Sequence, residues 1–526
     1  MQPRPWRAHL PAGTDMHVGD LTARGTLPAA WAQRWAADPG APALLDESGP
    51  GRGWCGAGEL EELTRLAAGG LRRLGLRRGD RLVWSTQSSL PAVVVNIAAL
   101  RLGLVVVPVN PAYTERELTH IVGDVRPAAA VVDDAARARL VSAAAAGRIV
   151  VAAPDLEVLA GEPAGDPDRG ALDRGALARG ALDRGDPDRG ALDTAEPGDP
   201  ALVAYTSGTT GAPKGAVLTH ANLLANSEAV AVTWRWAPDD RLVHALPVFH
   251  GHGLCVALYT SLLTGASAVL LPRFDVDMVL DACGRHRATL FFGVPTMYHR
   301  LAGSSRVGAL ATLRLAVSGS APLRPELHEA IRASAGIDVL ERYGMTETLM
   351  TLSNPYEGER RPGTVGFPFP GVEATVEAPG SQVLVRGPSV FAGYWERPAA
   401  TAAAFANGWF CTGDLAEVED GYVRLLGRAT ELIVSGGYNV YPAEVEDVLL
   451  GHPSVLEAAV TGTPSDEWGE VVTAWVVPDG AGPPDADALL AYAAERLAPY
   501  KRPRQVRVVD ALPRNSMGKV VRSELR

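Results

Sequence analysis

The sequence predicts an α/β protein in two parts: a large N-terminal domain of parallel-rich sheets and helices that includes a β-rich segment, and a smaller α+β C-terminal domain. Three observations lead there. At 526 residues the chain exceeds what a single ordinary core organises. Helical and strand-like stretches alternate from about residue 27 to 154 and again after residue 201, the rhythm of a buried, mostly parallel sheet. Near Arg428 the pattern changes to a short run of strands and helices ending in a basic loop.

In order along the chain, "ELEELTRLAAGGLRRLGL" has helical spacing, and "RLVWSTQ", "AVVVNIAALRLGLVVVPV" and "AAAVVDD" supply the apolar runs of the first sheet. About 161–200 comes an Asp-, Pro- and Gly-rich tract in which RGAL recurs at a five-residue step. So few turns of a solenoid bury no core, so the tract reads as a flexible insertion that lengthens a surface connection. From Ala201, "LVAYTS", "ATLFFGVP" and "LRLAVSGSAP" read as strands between helices, followed by the β-rich "SQVLVRGP" and "GYVRLLGR". The boundary is expected at 428, giving domains 1–427 and 428–526.

Composition narrows the function classes. A net charge of -11 leaves no basic footprint for nucleic acid. Cys55, Cys255, Cys283 and Cys411 lie far apart without a CxxC pair, which argues against a zinc site or a disulfide framework. The N-terminus has no apolar core of an export signal, and the longest apolar stretch is broken by Asn96 and Arg101, so neither export nor a membrane span is expected and a cytoplasmic location fits.

The chemistry is densest in "YTSGTTGAPKGAVLTH", residues 205–220. Small residues let backbone N–H groups approach an anion, hydroxyls add donors, and Lys214 adds charge, so the stretch reads as a phosphate loop. It lacks the GxxxxGK[ST] spacing of ordinary P-loop enzymes. Alone, it would also read as a tight strand-to-helix turn.

With "RYGMTET", "WFCTGDL", "GYVRLLGR", "SGGYNVYPAEVE" and "PRNSMGK" in that order, however, the chain resembles the acyl-adenylate-forming superfamily over nearly its whole length. That resemblance implies ATP and Mg²⁺ as cosubstrates and a mobile C-terminal domain that turns between two half-reactions. A carboxylate attacks the α-phosphate of ATP and releases pyrophosphate; a thiol, here coenzyme A, then displaces AMP. The resemblance implies that Thr206, Ser207, Gly208, Thr209, Thr210, Gly211 and Lys214 hold the β- and γ-phosphates. It implies Tyr343 as a stacking face for adenine, Gly319, Ser320 and Ala321 as the adenine-side wall, Thr346 as a phosphate ligand, and Glu347 as the Mg²⁺ carboxylate. Asp414 would accept from the ribose hydroxyls with Arg428 beside it. Lys519 would bridge the carboxylate and α-phosphate oxygens during adenylation. Gly436, Gly437 and Tyr438 would leave a path for a pantetheine arm. At the hinge, where relatives often carry Lys or Asp before an acid, this chain has Thr430 and Glu431.

The acid is read from the acyl side. "LPVFHGHGL" places His250 as a pocket wall or gate and His252 either in the site or in the core, with Met345 on the substrate side. In "FFGVPTMYHRL", Arg300 could clamp a second carboxylate in a bidentate fork, or end a helix in water. The favoured expectation is an acid–CoA ligase of the malonyl-CoA synthetase branch, acting on malonate or methylmalonate. The alternative keeps adenylation but takes an aryl or fatty acid, a carrier protein as acceptor, or nitrite as in a diazotase. No carrier-protein segment follows Arg526, which disfavours peptide-synthetase adenylation.

Overall fold

The computed structural model describes residues 2–10, 25–48, 53–156, 191–206, 213–465, 468–480, 484–514 and 520–525. They form two compact units: residues 3–374 with 385–410, and residues 375–384 with 411–525 and the N-terminal Gln2. Asp414 and Arg428 therefore both belong to the smaller unit.

The larger unit holds two sheets. One has seven strands in the order Gly393–Tyr394, Lys214–Thr219, Pro200–Thr206, Val105–Pro108, Arg81–Ser85, Ala129–Val132, Val150–Ala152. The last five are mutually parallel, and the first two are antiparallel additions at one edge. Strands Val105–Pro108 and Ala129–Val132 are apolar and buried throughout, as burial on both faces requires. Helix Glu115–Val125 starts at a capping box between Thr114 and Glu117 and lays Leu118, Ile121, Val122 and Val125 on the sheet. Helix Leu90–Arg101 is apolar apart from Asn96 and Arg101, and all but one of its residues are buried.

The other sheet has nine strands. Pro42–Asp46, Ser267–Leu270, Arg241–His244, Leu290–Gly293, Leu315–Ser318 and Val339–Met345 are parallel in that spatial order. Val339–Met345 then turns back into antiparallel Leu349–Ser353. Helices Val276–His286, Pro295–Ala302 and Pro325–Ala335 cover one face through a core that includes Phe291, Tyr298, Leu301 and Ile331.

The smaller unit contains the Asp414–Arg428 hairpin and a five-stranded sheet in which Gln505–Val508 runs parallel to Gly469–Pro478. Helices Pro442–Leu450 and Ala486–Arg496 supply its core residues Val445, Leu449 and Ala493. Among the described residues, no helix is long and apolar enough to cross a membrane.

The chain re-enters the described structure at Ala191 under a strong constraint. The Arg101 guanidinium is fully buried, donates to Glu61 and Thr64, and pairs with Asp193 at 2.7 Å, while the Asp193 N–H donates to the Arg101 carbonyl. Arg72 and Arg78 hold the Ala191 and Thr194 carbonyls. Residues 191–194 are thus held by charge-assisted bonds from Arg72, Arg78 and Arg101. Substituting Arg101→Met should leave Asp193 without its guanidinium partner and destabilise the larger unit by about 3 kcal/mol, read as a lower urea midpoint at unchanged slope.

Candidate active site

Four neighbouring parallel strands end on the same side of the nine-stranded sheet, and the loops that leave their carboxyl ends carry most of the residues singled out on the larger unit. Arg241–His244 leads to His250 and to a π-helical turn, His252–Leu258, a rare form often found at functional positions. Leu315–Ser318 leads to Gly319, Ser320 and Ala321. Ser320 has φ 69°, a left-handed conformation costly for a residue with a Cβ. Val339–Met345 carries Tyr343 and Met345 and turns through Thr346 and Glu347, and the Tyr343 hydroxyl lies 3.8 Å from the Met345 sulfur.

His252 is buried, stacks on Phe292 with centroids 6.2 Å apart, and has neither ring nitrogen hydrogen-bonded among the described residues. Burial holds it neutral, well below the usual imidazole range, and the positive charge of Arg342 adds to the effect. His250 is half-buried, and its Nδ1 accepts from the His252 N–H at 3.3 Å. Arg342 is the residue that reading the sequence passed over. Its guanidinium is buried, and Nε and Nη2 have no hydrogen-bond partner among the described residues. A methyl group at Gly319 would collide with it, so the glycine is where the Arg342 side chain passes. Burial pulls Arg342 down to about 9, which still leaves it charged at neutral pH. A signal was present: "LERYG" puts two charges side by side in an otherwise apolar parallel strand, a pattern that burial rarely tolerates without a role.

Arg300 stands elsewhere. Helix Pro295–Ala302 turns Tyr298 and Leu301 into the core, which leaves Arg300 exposed in the last turn with its guanidinium 5.1 Å from the Phe274 ring. Of the two arginines, Arg342 is the one with a buried, unmatched charge.

The glycine-rich stretch joins two antiparallel strands: Thr206 pairs with Lys214, and its hydroxyl donates to the Lys214 carbonyl at 3.4 Å. The strand-to-helix turn is therefore not its geometry, and helix His220–Thr233 starts only after the second strand, capped by Thr219 and Asn222. Ser207, Gly208, Thr209, Thr210 and Gly211 lie outside the described residues, as does Lys519. The His120 ring nitrogen meets the Pro213 carbonyl at 2.8 Å, and the Tyr205 hydroxyl donates to Asp124 at 2.6 Å, so the base of the loop is anchored at both ends. Lys214 points its ammonium over the Tyr394 ring, 5.3 Å from the centroid, and the Tyr394 hydroxyl donates to Glu347 at 3.0 Å.

Glu347 is buried, and no group of three or more His, Cys, Asp or Glu side chains able to hold a metal occurs among the described residues. A single carboxylate of this kind suits a Mg²⁺ whose other ligands are phosphate oxygens and water, and does not form a protein cage.

In the smaller unit Asp414 and Arg428 face each other across their hairpin and pair at 2.7 Å. The Asp414 N–H and the Arg428 guanidinium both bond Thr412, whose hydroxyl donates to the Val383 carbonyl. Gly436 and Gly437 have φ 57° and 80°, and a side chain at Gly436 would strike the Trp468 ring. Tyr438 is 58% exposed and stacks on Tyr500 at 4.8 Å.

These placements accompany clear likenesses to known proteins. The description "AMP-binding enzyme" matches residues 31–395, and "AMP-binding enzyme C-terminal domain" matches residues 444–519. A feruloyl-CoA synthase of Amycolatopsis sp. is 37% identical over 484 residues, covering 89% of this chain and 92% of that protein. A malonate–CoA ligase of Arabidopsis thaliana is 39% identical over 368 residues, covering 62% of this chain and 60% of that protein. The crystal structure of ATP-bound MatB from Rhodopseudomonas palustris superposes with a TM-score of 0.85 at 39% identity, over 95% of this chain and 98% of that one.

Glu341, next to Arg342, accepts from the Gly363 and Leu323 N–H groups, and burial pushes its carboxyl up to about 7 from 4.5. Between those values the folded protein keeps a proton that the unfolded chain has released, so stability contributed by the protonated form is lost as pH rises from 4.5 to about 7. Thermal midpoints of the wild type and Glu341→Gln across pH 4.5–8 should diverge in slope, with the variant flatter in that window.

Proposed function

The chain belongs to the AMP-binding enzyme family, and we propose that it is an ATP-dependent acid–CoA ligase whose acid is a small dicarboxylate of the malonate or methylmalonate type. The observation that carries the choice of acid is Arg342, a buried guanidinium with two nitrogens unpartnered among the described residues, beside Gly319 and the neutral His252. A lone buried cation is costly, and a carboxylate received in its fork would offset that cost through charge-assisted bonds. A monoacid would leave the charge unmatched. The similarity to a malonate–CoA ligase supports the same reading.

In this proposal one carboxylate of the acid attacks the α-phosphorus of ATP, pyrophosphate leaves, and the CoA thiol then displaces AMP. Thr206, Lys214 and the loop Ser207–Gly211 would hold the leaving phosphates, with Thr346 as a further phosphate ligand and Glu347 as the Mg²⁺ ligand. Mg²⁺ would neutralise charge that builds on the phosphates. Tyr343 and Gly319–Ala321 would wall the adenine, and Asp414, set by Arg428, would accept from the ribose. His250 would line the acyl side together with Met345. Lys519 would supply a mobile positive charge to the adenylation step alone, and a turn about the segment after residue 427 would bring Gly436, Gly437 and Tyr438 to the pantetheine arm.

A second reading, an aryl acid, is supported by the likeness to feruloyl-CoA synthase over most of the chain. Pyrophosphate release with ATP and Mg²⁺ across malonate, methylmalonate, succinate, octanoate, hydroxybenzoates, ferulate and nitrite, with and without CoA, separates the two. Turnover of the diacids is expected; turnover of ferulate or hydroxybenzoate with none of malonate would select the second reading.

Arg342→Met should lower kcat/KM for the diacid about 100-fold while changing any monoacid rate little, and Arg300→Ala should affect neither. Lys519→Ala should abolish most adenylation but spare thioester formation from supplied acyl-adenylate. Equal loss of both steps would remove the role assigned to it.

A further inference from the structure

We propose that Tyr394 is a positioning residue that ties the phosphate-loop lysine to the magnesium carboxylate: its hydroxyl fixes the rotamer of Glu347 while its ring face seats the ammonium of Lys214. The inference rests on the adenylation reading above and extends it to a residue whose sequence context, "AGYWERP", carries no chemical signature of its own.

The geometry joins three separate stretches of the chain. The Tyr394 hydroxyl donates to Glu347 Oε1 at 3.0 Å, and the Lys214 Nζ lies 5.3 Å from the centre of the same ring. The backbone around Tyr394 makes the same connection. Phe391 N–H donates to the Glu347 carbonyl, Ala392 N–H to Val217, and Trp395 N–H to Gly215, so residues 391–395 span the gap between the Glu347 turn and the strand that begins at Lys214. Tyr394 pairs with Ala216 across that strand. Its own N–H donates to the Thr401 hydroxyl at 2.9 Å, and Phe391 packs edge-on against its ring at 4.9 Å. Gly393, at φ 141° and pressed against Thr401, admits no side chain, which locks the approach of the strand to helix Pro398–Ala403. The tyrosine is held at its backbone, its ring and its hydroxyl.

Such anchoring matters because both groups it touches are hard to place. A buried carboxylate that must meet a cation on a mobile polyphosphate gains by waiting in one rotamer, and a lysine has a long stem with much freedom to lose. Only three of the 49 basic residues are lysines, Lys214, Lys501 and Lys519. A compact ammonium placed over an aromatic face loses part of that freedom before the phosphates arrive.

The two contacts separate by substitution. Tyr394→Phe removes the hydroxyl and keeps the ring, with its packing on Phe391; Tyr394→Leu removes both. ATP binding is measured by titration calorimetry at a series of fixed Mg²⁺ concentrations running from limiting to saturating, together with pyrophosphate release and a melting temperature for each variant. Tyr394→Phe is expected to raise the half-saturating Mg²⁺ about tenfold, with ATP affinity at saturating Mg²⁺ within about twofold of wild type. Tyr394→Leu is expected to weaken ATP itself by a further factor of about three. An unchanged Mg²⁺ requirement in Tyr394→Phe, or a loss in both variants that saturating Mg²⁺ does not restore and that follows melting temperature, overturns the assignment while leaving the adenylation reading intact. A wild-type protein that binds no ATP at any Mg²⁺ concentration overturns both.

Discussion

The parallel hydrogen-bond ladder is the constraint on which the larger unit depends. Parallel neighbours need a crossover, the crossovers here are helices, and the carboxyl ends of the strands consequently fall on one side. That alone brings the loops after His244, Ser318 and Met345 into a single neighbourhood although they come from distant parts of the chain. Among the departures from parallel order are the hairpins Pro200–Thr206 with Lys214–Thr219 and Val339–Met345 with Leu349–Ser353, and both occur where phosphate and metal chemistry is proposed. A hairpin returns the chain at once and holds its loop from two sides, which a strand-to-helix turn does not.

Electrostatics in that neighbourhood is organised by desolvation more than by pairing. Among the described residues Arg342 is a cation without a carboxylate partner, His252 is kept neutral by burial and by that cation, and Glu341, on the same strand as Arg342, accepts from the Leu323 and Gly363 N–H groups while burial raises its carboxyl to about 7. The strand period separates Glu341 from Arg342, because successive side chains leave a strand on opposite faces. One face therefore ties the strand to Leu323 and Gly363, and the other carries the free charge. The contrast with Arg101 is instructive: equally buried, it is saturated by Glu61, Asp193 and Thr64 and so serves only to hold the fold.

Much of this was legible in the residues. Alternating apolar runs and helical spacing gave the α/β class, and the ordered motifs gave the family and the positions of Lys214, Glu347 and Asp414. Arg300 and Arg342 show where reading stopped. Both are arginines near apolar runs, yet a helical step turns Arg300 outward beside Tyr298, whereas Arg342 points from a central strand beneath Gly319. Tyr394 was invisible for a related reason, since nothing local distinguishes it until a short edge strand pairs it with Ala216.

By itself the sequence determined the elements, the family, and the residue types available for phosphate and carboxylate chemistry, because periodicity and motif spacing are local properties written along the chain. The tertiary structure decided which charges are matched and which are not. Burial and pairing depend on partners far along the chain, as in Tyr394 with Lys214 or Arg101 with Asp193, and the free energy of a charge is set by those partners and by the water they exclude.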